Sequence, residues 1–308
     1  MTGGALYDRR YTLMLGTLTQ PSLAVYGTTP GVGTHRPTAL RIEFDIEKDI
    51  LPSSNKGGIR ITNMNDGNRA ALRPGILATL EVGYAGLMQT LFIGGALKVK
   101  TQRQGPDIVT EMECGDGEAT IQNTVLDKSY SAGTTLSQVL TDIAAAMQVP
   151  SAAAPDGSRF GLAVGVPSYV FKRGFTIHGP IRATMDKLCK TFGLDWSLQN
   201  NALQIVPKKH HTGETAELLS PRTGLLGVPS FDGRTCTFGS LLNPRLTPGR
   251  LVLLQSKAVS GLFKIRKGKW SGDTHGPHWL CEIEAIAMPA AQALIQSTQL
   301  PIAPTPGT

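Results

Sequence analysis

Residues 270–285 read WSGDTHGPHWLCEIEA and bring Asp273, His275, His278, Cys281, Glu282 and Glu284 into one short span. Such a cluster suits a metal or acid–base site, and it equally suits a turn between two strands. Strand parity separates the two readings. Successive side chains of a strand point to opposite faces. In WLCEIEAIA (279–287), Trp279, Cys281 and Ile283 therefore share one face, and Glu282 and Glu284 share the other. Cys281 goes with the apolar set as a core thiol and is not placed to join the carboxylates as a ligand. Ser271, Gly272, Asp273, Gly276 and Pro277 are turn formers, and GLFKIRKGKW (261–270) ahead of them has a complementary length. The stretch reads as a β-hairpin with an eight-residue loop, 271–278, that closes a sheet. Asp273, His275 and His278 can still meet at that loop. A metal, however, needs three or four ligands held by a supporting shell, and a glycine-containing loop tip holds ligands loosely. No metal site is expected.

Working outward, the same period of two recurs. In RIEFDIEK (41–48), Ile42, Phe44 and Ile46 alternate with Glu43, Asp45 and Glu47, the pattern of a half-buried strand. IRITNM (59–64) reads as the next strand, and Asn65-Asp66-Gly67 as a turn. One short helical turn in NRAALRPG is stopped by Pro74-Gly75, and strands follow at 77–84, 90–99 and 107–114. Near residue 130 the period changes. GTTLSQVLTDIAAAMQV sets Leu136, Val139, Leu140, Ile143 and Met147 at helical spacing, with Thr134 or Thr135 as N-cap. SAAAPDGSRFG (151–161) reads as a loop. HGPIRATMDKLCKTFG repeats the helical pattern, with Pro180 at the first helical position, Gly193 past the end, and Ile181, Met185, Leu188 and Phe192 as the buried stripe. DWSLQNNALQIVP reads as a hairpin turning at Asn200-Asn201. Beyond 216 the chain is β again. SPRTGLLGVPSFDGR is rich in turn residues, and 250–256, 261–270 and 279–287 are strands. TQLPIAPTPGT has the composition of a tail.

The class is α+β, dominated by β, with a first β-domain at 1–120, a small α/β module at 121–215, a second β-domain at 216–290 and a tail at 291–308. Bulk properties agree. Of 308 residues, 41% are hydrophobic and 17% charged, enough for packed cores, and 35 glycines with 20 prolines fit many turns and short strands. The net charge of +7 is scattered. Its densest groups, KVKTQR (98–103) and PKKHH (207–211), hold no aromatic residue for base stacking, so the charge reads as solubility rather than nucleic-acid binding. Cysteines 114, 189, 236 and 281 show no CxxC and no close pairing, which argues for reduced buried thiols and cytoplasmic synthesis. No apolar run reaches membrane-span length, and MTGGALYDRR lacks the pattern of a cleaved signal.

The remaining chemical candidates are weak. GTTPGVG (27–33) has the glycines of a phosphate loop but no following GK[ST]. His210 and His211 lie in a loop without further ligands. Glu111 and Glu113 share a strand's polar face, where paired-carboxylate catalysis is geometrically possible. Cys189 lies beside a helix's buried stripe with no His near it in sequence. No catalytic, cofactor-binding or metal residue is assigned.

The order of segments resembles the baseplate hub proteins of tailed, particularly contractile-tailed, bacteriophages over about residues 38–287. The resemblance rests on LRIEFDIEKD, NKGGIRITNMND, PGILATLEVGYAG, LFIGGAL and DIVTEMECGDGE in the first part, and on YSAGTTLSQVLTDIA and DKLCKTFGLDWSLQNNALQIVPK in the middle. In the last third it rests on LLSPRTGLLGVPS, SLLNPRLTPGRLVLLQSK and GLFKIRKGKWSGDTHGPHWLCEIEA. It implies two tail-tube-like β-barrel domains per chain, flanking the α/β module or interleaved in sequence, and a homotrimeric ring. Two similar domains in each of three chains would present six similar surfaces to a sixfold tube. The implied partners are the tail tube or a distal tube-ring protein, the central spike and the tape-measure protein. DNA would be only in transit, there would be no stable membrane insertion, and the location would be the virion's tail baseplate. No cofactor and no enzyme activity are implied. The excess positive charge is expected on outer or interdomain surfaces, since strong phosphate contacts would hinder sliding DNA. The alternatives are a tail-tip peptidoglycan hydrolase, weakened by the lack of an appended lysozyme-like segment, and a nucleic-acid-binding module.

Overall fold

The computed structural model describes residues 8–16, 21–28, 40–52, 55–117, 123–147, 161–162 and 166–288. In chain order the elements are β1 (Arg9–Gly16), β2 (Pro21–Thr28), β3 (Ile42–Asp49), β4 (Asn55–Thr62), α1 (Asp66–Ala71), β5 (Leu77–Tyr84), β6 (Leu87–Gln104) and β7 (Asp107–Asp116). Next come β8 (Val125–Tyr130), α2 (Leu136–Ala146), β9 (Gly161–Leu162), β10 (Phe175–Pro180), α3 (Ile181–Phe192), β11 (Leu194–Gln199) and β12 (Ala202–Pro207). The last part holds β13 (Glu217–Leu219), β14 (Leu225–Phe231), β15 (Thr235–Leu241), β16 (Leu251–Gln255), β17 (Ser260–Asp273) and β18 (Trp279–Ala287). Strands dominate, as expected.

The first and last parts of the chain share one sheet, ordered β14-β15-β18-β17-β3-β4-β7-β6-β5-β1-β2, with β16 beside β17 and β13 beside β16. Among the described residues it does not close into a barrel. The join is β17 to β3, antiparallel, with Trp270 opposite Ile46 and Ser271 opposite Asp45.

Within this sheet one unit occurs twice. The series β3-β4-β7-β6 and β14-β15-β18-β17 have the same connectivity: a hairpin, an excursion, then a second hairpin whose later strand lies against the first. The long strand of each unit bulges at the same place, Leu97 in β6 and Arg266 in β17. Just after the bulge, Lys98 and Lys100 stand opposite Glu113 and Glu111, and Lys267 and Lys269 stand opposite Glu284 and Glu282. The excursion strands match too. PGILATL (74–80) leads into β5, PGRLVLL (248–254) leads into β16, and Gly75 and Gly249 adopt φ values of +91° and +90°. In each case the glycine N–H donates to the residue just before the bulge, Ala96 or Ile265. β5 and β16 pair with the first halves of β6 and β17, leaving the second halves to meet whatever lies beyond.

One core lies under this sheet, joining Ile42, Phe44, Ile46, Leu80 and Phe92 to Trp270, Trp279, Cys281 and Ile283. At about 25 cal/mol per Å² of apolar surface removed from water, such burial is the main force holding the two units together. Trp270 folds over Gly268, and Phe44 and Trp279 crowd Gly272; a methyl group at either glycine would strike a ring. A second core belongs to the middle module, where Leu136, Val139, Leu140, Ile143 and Met147 of the α2 stripe pack with Ile181, Met185 and Trp196. Thr135 and Gln138 form a capping box on α2. The α3 helix ends at Gly193 in the left-handed conformation (φ +65°), and both Asn200 and Asn201 have positive φ, as a two-residue hairpin turn requires.

Several expectations need adjustment. Pro180 is the N-cap of α3 rather than its first residue, and Cys189 is inside the buried stripe while Leu188 and Phe192 are only partly buried. Asn65 caps α1, so the helix starts within the supposed turn. β6 extends well beyond 90–99, and β17 runs through Asp273, which shortens the 271–278 loop. β1, β2, β8, β9, β10, β13, β14 and β15 went unanticipated. In β14 the reason is local. LLGVPSF carries a glycine and a proline in an irregularity between Leu226 and Ser230, which breaks the alternation. The 151–160 loop and the tail lie outside the described residues.

Candidate functional site

The residues of the 270–285 cluster are held apart. Cys281 is buried with its Sγ 3.0 Å from Ser240 Oγ, and burial pushes its thiol up to about 11. Asp273 accepts from the Arg41 guanidinium at 2.7 Å and from the His275 amide at 2.9 Å. Burial pushes its carboxyl up, but these donors outweigh burial and hold it below its ordinary value. The His278 ring pairs with Ser271 Oγ at 2.7 Å, and the His275 ring with Thr274 Oγ1 at 3.0 Å. The loop is also tied down from outside: Arg9 donates to the carbonyls of Gly276 and Pro277 and lies over the Trp279 ring. Thr274 Oγ1 accepts from the Ile42 amide. The stretch is thus a fastened turn linking β1, β3 and β17. Among the described residues no group of three His, Cys, Asp or Glu side chains is arranged to hold a metal ion.

The other candidates are dispersed as well. Glu111 pairs with Arg60 at 2.9 Å and Glu113 with Lys98 at 3.5 Å. Arg60 also reaches Glu43, and Lys269 reaches Asp45. On the outward face of the sheet, register sets Glu282 opposite Lys269, Lys269 opposite Glu47, and Glu47 opposite Lys56. Carboxylates there alternate with bases across strands instead of converging on one another. Cys189 is buried, with its thiol pushed up to about 12 by burial and by Asp186 and Asp195. His211 accepts the Gly213 amide on Nδ1, and burial lowers its pKa, helped by His210 and Lys264. Of GTTPGVG only Gly27 and Thr28 fall within the described residues, at the end of β2.

The polar cluster that does converge was not singled out from sequence. The tip of the β11–β12 hairpin enters the large sheet beside the ends of β3, β4 and β7. There the Asp116 carboxylate accepts from the Asn200 and Asn201 amides, at 2.6 and 2.7 Å, and from Asn55 Nδ2 at 3.1 Å. Backbone N–H groups only donate, so this carboxylate is the acceptor that makes burying the tip tolerable. Lys48, buried, donates to Asn200 Oδ1 at 2.6 Å. Burial pushes its ammonium down to about 8, countered by the charge of Asp116. A second buried lysine, Lys264 of β17, donates to the Pro207 carbonyl at 3.1 Å and lies 3.9 Å from Asp195. Two lysines, one from each side of the β17–β3 join, thus clamp the module to the sheet. The available signal was parity: Lys48 continues the inward series Ile42, Phe44, Ile46. The charged members Lys48 and Asp116 are buried. Among the described residues, the outer edges of the sheet pair with no further strand.

No protein-family model and no curated protein matches the chain. Solved structures do match. The 43 kDa tail protein of prophage MuSo2 from Shewanella oneidensis is similar over 91% of this chain and 97% of that one, with a TM-score of 0.61 at 11% identity. A tail protein from Neisseria meningitidis is similar over 90% and 96%, with a TM-score of 0.59 at 10% identity. An E. coli component of the type VI secretion system, itself described as structurally similar to bacteriophage tail proteins, covers 84% and 76% at 0.53 and 13%. At these identities the likeness is one of fold, and it extends nearly end to end in the first two.

Proposed function

We propose that the chain is a structural baseplate hub of a phage tail. Three copies would form a ring that adapts a sixfold tail tube to a threefold central spike and leaves a channel for DNA. The observation that carries this reading is the strand unit repeated within one chain, in a fold matching tail proteins along most of its length. Two like units in each of three chains meet a hexameric tube six times, which is how a threefold body satisfies a sixfold one. The units are read as two tube-like domains, the first within 1–120 and the second within 216–290, with the 121–215 module clamped beside them and 291–308 as a tail. The partners would be two further copies, the tube or a distal tube ring, the spike, and the tape measure in passage, all within the virion's baseplate. The role is structural, without catalysis or cofactor. A hydrolase would need converging carboxylates, whereas Glu111 and Glu113 are paired with Arg60 and Lys98.

Copy number tests the proposal. Mass photometry of assembled baseplates should give three copies per particle. Six copies in a ring would instead favour a tube protein.

A further inference from the structure

The β17–β3 join has a counterpart that the single chain leaves open. In the second unit, β16 covers one edge of β17 only as far as Lys264, and the rest of that edge, Lys267–Asp273, pairs with β3, the first strand of the other unit. In the first unit, β5 covers the same edge of β6 only as far as Gly95. The rest, Lys98–Gln104, pairs with β7 alone among the described strands. The strand corresponding to β3 is β14, which among the described strands pairs only with β15. Each open edge is therefore the equivalent of one half of a join the chain already makes.

Exposure marks the same two places. Leu97, at the β6 bulge, is 53% exposed, and Val228, in the β14 irregularity, is 79% exposed; Leu226 and Phe231 flank it, also exposed. At the equivalent positions of the join that is made, Ile46 is fully buried and Glu43 and Arg266 are half-buried.

We infer that the β6 edge of one copy pairs antiparallel with the β14 edge of a second copy, reproducing between chains the β17–β3 join within the chain. This deepens the ring reading above and rests on it for the number of copies. The register follows from the internal template. Superposing the two units by their own pairings places Thr101 where Trp270 stands and Phe231 where Ile46 stands, so these two face each other. Gln102 then faces Ser230, as Ser271 faces Asp45. Lys100 faces Asp232, as Lys269 faces Glu47, a favourable cross-strand pair. The contact is head-to-tail, a kind that closes into a ring or continues as a filament. Pro229 and the irregularity around it discourage indiscriminate edge pairing, so a partner must match the template. The second copy is the partner that carries the matching strand.

The test uses the full chain. The double variant Gln102→Cys/Ser230→Cys, concentrated and mildly oxidised, should give covalent multimers on a non-reducing gel. Each single variant, and the displaced pair Lys100→Cys/Ser230→Cys, should not. Val228→Glu should weaken self-association about tenfold or more while leaving the circular dichroism spectrum and melting temperature unchanged, because the side chain is exposed. A chain that stays monomeric at high concentration overturns the inference. So does association without the Gln102–Ser230 crosslink. In that second case a three-copy baseplate would leave the hub proposal standing, whereas a six-copy ring containing the crosslink would remove the hub proposal and keep the strand pairing.

Discussion

Replacing Asp116 with Ala removes the acceptor for two half-buried amides, Asn200 and Asn201, and the counter-charge of the buried Lys48. Leaving a buried donor unsatisfied costs about 1–3 kcal/mol. Two half-buried donors at the low end of that range, together with the stranded charge of Lys48, put the loss at about 4 kcal/mol, concentrated where the β11–β12 hairpin enters the sheet. Lys48→Met keeps most of the side-chain volume and removes the buried ammonium, at an expected cost of about 1–2 kcal/mol. The double variant should cost less than the sum by about 1 kcal/mol, because Lys48→Met deletes the charge that Asp116→Ala strands. The assay is native-state hydrogen exchange, read at Asn200 and Asn201 and supported by urea unfolding. A 4 kcal/mol loss corresponds to about a thousandfold faster exchange at those amides. Protection changed by less than tenfold in Asp116→Ala, or strict additivity in the cycle, would refute the clamp as the element holding the module.

Three further outcomes are expected. Lys264 is pushed down to about 8, first by burial, with Asp195 opposing and Arg266 adding. An unfolded lysine titrates near its ordinary 10.5, so between these values the unfolded chain binds the extra proton and the contribution of Lys264 to stability rises with pH. Lys48 adds a like rise and the buried thiols oppose both above about 9, so the check is the urea midpoint of the protein relative to that of Lys264→Met, a difference that should move in favour of the lysine as pH rises above 8. The four cysteines are buried and unpaired, with Cys114 and Cys189 pushed up to about 12 by burial; a thiol reagent should label none in the native chain and all four in denaturant, and rapid native labelling would contradict the packing. Exposed His275 and His278 each change to Ala at a cost of about 0.5 kcal/mol or less, whereas Arg9→Met, which loses two carbonyl partners and the contact with Trp279, should cost about 1–2 kcal/mol by thermal melts.

Local periodicity was the legible part of this chain. Ile42, Phe44 and Ile46 announced β3, the Leu136–Met147 stripe announced α2, and the parity of Trp279, Cys281 and Ile283 turned a reactive-looking cluster into a hairpin. What stayed hidden depended on distant partners. The β17–β3 join links residues more than two hundred positions apart, and no local pattern specifies it. The repeat is written in LKVK (97–100) with EMEC (111–114), and in RKGK (266–269) with EIEA (282–285). Lys-x-Lys and Glu-x-Glu are common on polar strand faces, and only the shared bulge and pairing make them equivalent. The Asp116 clamp was hidden for a similar reason. Its members come from β3, β4, β7 and the Asn200–Asn201 turn, and each alone resembles ordinary strand-end polarity.

A low-resolution cryo-electron image of the assembled particle, viewed down the tail axis, tests the hub reading most directly. The hub proposal expects a threefold ring of three chains showing six similar strand units around a channel, seated between a sixfold tube and a threefold spike. A ring of six chains, or a chain found as an isolated monomer at the tail's periphery, would contradict it.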